Sequence, residues 1–165
     1  MFIQFLRSIA ERTPPFVMRW FFNIYPPYLG AGIRVVELSK DRRYLKVLMR
    51  LQFYNRNYVG TQFGGSIYSM TDPHYMYLLM NNLGSDYIVW DKGAHIDFLR
   101  PGKTDLIAEF RIDEELLKSI REKTQSGEKY IFDLPAQVCD RNGALIATMT
   151  KTLYVRKKVR CIGSI

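Results

Sequence analysis

NYVGTQFGGSIYSMTDPHYMYLL, residues 57–79, reads as the opening of a long apolar helix that carries two residues such a helix does not need. Ile67, Met70, Met76, Leu79 and Met80 fall at helical spacing, a Gly-Gly pair opens the run, and Asp72 and Pro73 interrupt it. A carboxylate beside a helix breaker, in a segment otherwise fit for burial, is a candidate for chemistry. It is equally a candidate for a helix cap, because Asp followed by Pro suits the N-cap and the first helical position.

On either side of that helix the chain alternates. Leu45, Val47, Met49, Leu51 and Phe53 share one face of a strand expected over 44–54, with Lys46, Arg50 and Gln52 on the other. The same pattern predicts strands over 106–112, 130–138 and 145–155, and weaker patterns add 33–39 and 87–99. DRNG at 140–143 reads as the turn joining the last pair, Pro135 as the mark of an edge or bulge, and a short helical piece is expected near 113–121. A helix apolar nearly all round needs cover on most sides, which a curved antiparallel sheet wrapped about it supplies. The expected fold is α+β of the hotdog type: about six strands around a long central helix, one domain over 1–165, with an N-terminal helical extension at 1–29 and a basic tail at 158–165.

The totals narrow the function. With 165 residues, 47% hydrophobic and 14% aromatic, the chain has the composition of a globular domain with a real core. Its net charge of +8 suits an anionic partner without choosing among nucleic acid, a membrane surface and a phosphorylated small molecule. There is no recognised nucleic-acid motif and no basic stripe interleaved with aromatics, so no nucleic-acid partner is expected. Cys139 and Cys161 do not cluster with His74 or His95, which argues against both a disulfide framework and a metal site. Arg7, Glu11, Arg12 and Arg19 cut each N-terminal apolar run far below the roughly 20 residues of a membrane span, so a cytoplasmic protein without stable membrane insertion is expected. Phe2, Phe5, Leu6 and Ile9 recur at helical spacing, which fits a helix packed on its own domain, the favoured reading, or one lying on a membrane surface.

Asn57, Gly60, Thr61, Gly64, Gly65 and Asp72, with HIDFLRPG at 95–102, form a pattern that resembles the hotdog-fold acyl-CoA thioesterases of the phenylacetate-degradation type, over roughly residues 30–157. The resemblance implies that Asp72 acts as general base or nucleophile on the thioester, that the Gly64 N–H polarises its carbonyl, and that Asn57 orients the acid or the water. Phe63 stands where the family has a histidine. A helix N-terminus offers unpaired N–H groups and the positive end of a dipole, which suits an oxyanion beside Gly64 and Gly65. Substrate contacts are expected at Phe63, Gly65 and Tyr68. Lys92 and Arg100 share a strand face with Ile88, Trp90, Ala94, Ile96 and Phe98, where a buried cation needs an anion such as a coenzyme A phosphate. No metal or cofactor is expected beyond coenzyme A carried as part of the substrate.

Eight helical residues separate Gly64 from Asp72, about 12 Å at 1.5 Å per residue, so the two meet at one carbonyl only if they come from different chains. The family's dimers supply that arrangement. A homodimer, or a tetramer of two such dimers, is therefore expected. A second reading, motivated by Phe63, keeps the fold and the acyl-thioester pocket as a binding module without turnover.

Overall fold

The computed structural model describes residues 13–158, so the stripe of Phe2, Phe5, Leu6 and Ile9 and most of the basic tail lie outside the described residues. In chain order the elements are α1 (Pro15–Ile24), α2 (Pro26–Ala31), β1 (Ile33–Leu38), β2 (Tyr44–Met49), α3 (Gly64–Ser69), α4 (His74–Leu83), β3 (Tyr87–Phe98), β4 (Leu106–Arg111), α5 (Glu114–Lys123), β5 (Lys129–Asp140) and β6 (Leu145–Lys157). The six strands form one antiparallel sheet ordered β1-β2-β4-β5-β6-β3. Period-two alternation turns Leu45, Val47 and Met49 of β2 and Leu106, Ala108 and Phe110 of β4 into one core, where they meet Met70, Leu78 and Leu79 of the helical segment. This is a hotdog fold with an added N-terminal helical pair.

The central helix is two helices. Pro73 has no N–H to give, and the ladder stops at residues 70–73. Side chains add to the backbone bonds around the break: the Thr71 hydroxyl joins its own N–H in donating to the Tyr68 carbonyl, and the Tyr28 hydroxyl donates to that of Asp72 at 2.5 Å. The capping role considered for Asp72 is not what the structure has. α4 begins after Pro73 with no side-chain bond at its N-cap, and the Asp72 carboxylate turns elsewhere.

Strand β2 is also shorter than its alternation. It ends at Met49, where the Asn55 side chain gathers the carbonyls of Ala31 and Arg50 and the N–H of Gln52, turning the chain away and leaving Phe53 exposed. Pro135 pairs with Thr150 of β6 but lies beyond the β4 pairing of β5, which covers only Leu106–Ala108 with 138–140, and its carbonyl accepts from the Tyr75 hydroxyl at 2.6 Å. At the 140–143 turn the Asp140 carboxylate accepts from the Asn142 and Ala144 N–H groups.

One extra residue redirects β3. Asp91 pairs with Leu153 and Gly93 with Thr152, leaving Lys92 as a bulge. Tyr87, Val89 and Asp91 face inward before it, and Ala94 and Ile96 after it. Lys92 is therefore exposed, and the expectation of a buried cation there is wrong because the bulge exchanges the two faces.

The two edges of the sheet are not alike. On β1 the Asn23 side chain of α1 accepts from the Val35 N–H at 2.8 Å and donates to the Val35 carbonyl at 3.2 Å. β3, at the other edge, has β6 as its single strand partner among the described residues.

His74 opens α4 fully buried, its Nε2 3.0 Å from the Met70 carbonyl and its ring 4.7 Å from that of Phe110. Burial pushes its pKa down to about 4. The unfolded chain therefore binds this proton more readily than the folded one, and stability is lost as pH falls from the unfolded value of about 6.5 toward 4. Urea denaturation at pH 7.5 and pH 5 should differ by about 2 kcal/mol on this account, and His74→Gln, whose amide can still donate to Met70, should lose that component.

Candidate active site

The sequence-predicted residues fall into two groups. The first lines a groove of about 360 Å³ that includes Asn57, Thr61, Gln62, Gly64, Phe98 and Arg100. Phe63, the N-cap of α3, has no side chain able to cap, so the Gly64 and Gly65 N–H groups at the start of that helix find no acceptor among the described residues. A Cβ on Gly64 would lie 3.3 Å from the Phe98 ring, so glycine there keeps the groove open between helix and strand. Asn57 is spent on its own loop: its amide donates to the Thr61 hydroxyl and the Gln62 carbonyl, and its oxygen accepts from the Val59 and Thr61 N–H groups. Arg100 is exposed at the groove's rim.

The second group is built on a residue the sequence reading passed over. Lys151 of β6 is buried and bonded to both Asp72 and Asp91, the latter at 3.0 Å. Its ammonium also lies 5.8 Å from the centroid of the Tyr68 ring. The two carboxylates differ in setting, since Asp91 is mostly buried with its Oδ1 unpartnered, whereas Asp72 is half-exposed. Burial, and to a lesser degree the neighbouring Asp72, pushes the Asp91 carboxyl above the usual range, with Lys151 pulling the other way. For Lys151 burial works against the charge, but its bonds to Asp72 and Asp91 outweigh it and raise the pKa. The cluster thus holds a fixed cation between one solvent-facing and one enclosed carboxylate.

Lys151 was findable. It occupies an inward position of β6 between Met149 and Leu153, where a lysine requires an anion close by. Gln62 was missed too: it is buried in the groove wall, its amide donating to the Met49 and Thr104 carbonyls and its Oε1 unpartnered.

The family model described as "Domain of unknown function (DUF4442)" matches residues 15–155. The chain belongs to the DUF4442 family. Among curated proteins, none matches it. Among solved structures, this DUF4442 chain is similar to a Pseudomonas aeruginosa protein of unknown function described as a probable thioesterase, at TM-score 0.80 and 20% identity over 88% of this chain and 97% of that one. A Haemophilus influenzae thioesterase aligns at TM-score 0.63 and 10% identity, covering 92% and 96%. The PaaI protein from the phenylacetic acid degradation operon of E. coli aligns at 0.58 and 14%, covering 86% and 91%. At these identities the likeness establishes the hotdog fold of this DUF4442 chain.

Proposed function

We propose that the protein hydrolyses acyl thioesters, with acyl-CoA as the substrate class, at two sites in a homodimer formed through β3. The observation that carries this reading is that the two halves of the site sit at opposite ends of one edge strand, whose single strand partner among the described residues is β6. Asp91, beside Asp72, and Phe98, beside Gly64, are six pairing positions apart on β3, about 20 Å at 3.3 Å per residue. Antiparallel pairing of two β3 edges centred on His95 sets position 91 of each copy opposite position 98 of the other. Each carboxylate cluster then faces the partner's glycine groove.

In that arrangement water gives a proton to Asp72 as it attacks the thioester carbonyl, or Asp72 itself attacks and water releases the acyl group afterwards. The Gly64 N–H stabilises the oxyanion, the C–S bond breaks, and the thiol leaves with a proton. Tyr68 and Phe63, both exposed, flank the reacting centre, with Gly65 beneath. Lys92 and Arg100, both exposed, are the cations this reading assigns to coenzyme A phosphates.

A second reading draws on Phe63, an apolar side chain where the thioesterases it resembles have a histidine, and on Asp72 being already bonded to Lys151. In that case the pocket binds acyl thioesters without turning them over. Incubation of the protein with acyl-CoAs of graded chain length, following free thiol, separates the two. Release supports the hydrolase, and binding without release supports the binder. Light scattering on the same sample should give the mass of a dimer or its multiple, and a monomer would remove the two-chain site.

A further inference from the structure

α1 carries large apolar side chains that stay exposed among the described residues. Met18 and Phe22 pack against the core, where the Phe22 ring meets those of Tyr28, His74 and Tyr77. Yet Phe16, Trp20 and Ile24 form an i, i+4, i+8 stripe that stays 43–71% exposed, and Phe21, Tyr25 and Leu29 extend it, each 52% exposed. A helix that packs one apolar side on its domain and keeps a second one exposed needs a further apolar surrounding. Phe21 and Tyr25 also border an apolar groove of about 400 Å³ floored by Tyr28 and Pro73.

We propose that this face docks on an anionic lipid bilayer, with Trp20, Phe21 and Tyr25 seated at headgroup level. Composition favours that occupant. Trp and Tyr carry a polar tip on an apolar body and settle at membrane interfaces, and residues 13–31 hold one arginine and no carboxylate to be repelled by anionic headgroups. The chain as a whole carries +8, a charge that draws it to such a surface. The preceding twelve residues repeat the chemistry in sequence, with Phe2, Phe5, Leu6 and Ile9 at helical spacing beside Arg7 and Arg12. Position disfavours a second copy as the occupant: α1 packs on β1, the edge opposite β3, so the dimer proposed above, on which this step rests, leaves the face open. Long acyl thioesters partition into the same surface, which brings the enzyme to its substrate.

The test uses the full chain with Trp90→Phe, which leaves Trp20 as its one indole. Flotation with phosphatidylcholine vesicles, with and without phosphatidylglycerol, should carry the protein up only with the anionic lipid, and added salt should reverse it. Trp20 emission should shift to the blue on binding and be quenched by brominated lipid. In the chain that retains Trp90, Trp20→Ser with Phe21→Ser should weaken partitioning about tenfold or more, leaving thiol release in solution and oligomer mass unchanged. Absence of flotation, unshifted Trp20 emission, or full binding by the double variant would overturn the proposal. So would a double variant that falls apart in light scattering, which would show a second copy on this face. Thiol release is read separately, so a bilayer-binding protein without turnover would count against the hydrolase and leave this proposal standing.

Discussion

Replacing Lys151 with methionine should lower the unfolding free energy by about 3–5 kcal/mol at neutral pH, measured by urea denaturation. The lysine side chain is 3% exposed and lies between two carboxylates, one of them mostly enclosed with an oxygen that already lacks a partner. Methionine fills the space but leaves Asp91 and Asp72 facing each other with no cation. Asp72 is partly solvated, which places the loss toward the lower end of that range. The sign with pH follows from Asp91, whose folded pKa is already raised by burial and by Asp72. Without Lys151 it rises further, so the folded variant takes up a proton more readily than the unfolded chain, and the deficit should shrink as pH falls. Adding Asp91→Asn should recover most of the loss by removing the enclosed charge. A single variant within 1 kcal/mol of the wild type would mean that the cation does not hold this cluster together.

Asp72→Asn should act in the opposite way, sparing the fold and removing turnover. Lys151 keeps Asp91 as a partner, and the resulting pair carries no net charge, so stability should stay within about 1 kcal/mol of the wild type. Thiol release from acyl-CoA should fall by about 10²–10⁴, the contribution of a positioned acid or base. Because the folded fraction is unchanged, the loss belongs to chemistry. Undiminished release by this variant would transfer the reaction to another group and leave Asp72 as a partner for Lys151 alone.

The contrast between these variants also shows what could be read before the fold was known. Strands were legible because Leu45, Val47, Phe110 and Leu153 occupy every second position of half-buried segments, a signal carried by the residues themselves. Two features were not carried that way. The bulge at Lys92 leaves no mark in an alternating pattern until pairing with β6 is known, and it reverses which of the following residues turn inward. For Lys151 the signal was partial: a lysine amid an apolar series calls for an anion, but its anions come from residues 60 and 79 positions away, which no local pattern names. Asp72 and Gly64 stood out through local oddity, a carboxylate before a proline and paired glycines before an apolar run. The helical rise between them already held them apart; that they lie at opposite ends of one edge strand follows from β3, which no local signal describes.

Asn23 has a meaning beyond the strand it touches. By giving Val35 one donor and one acceptor, its amide imitates a neighbouring strand at the middle of β1 and closes that edge to any real one. A sheet with two open edges can add copies without end, as fibres do, whereas a sheet with one closed edge runs out of places to grow. In the proposed dimer, two copies joined through β3 would present only their Asn23-capped margins to the outside. Assembly by strand addition would then stop at two copies, with the Asn23 amide holding the outer margin closed.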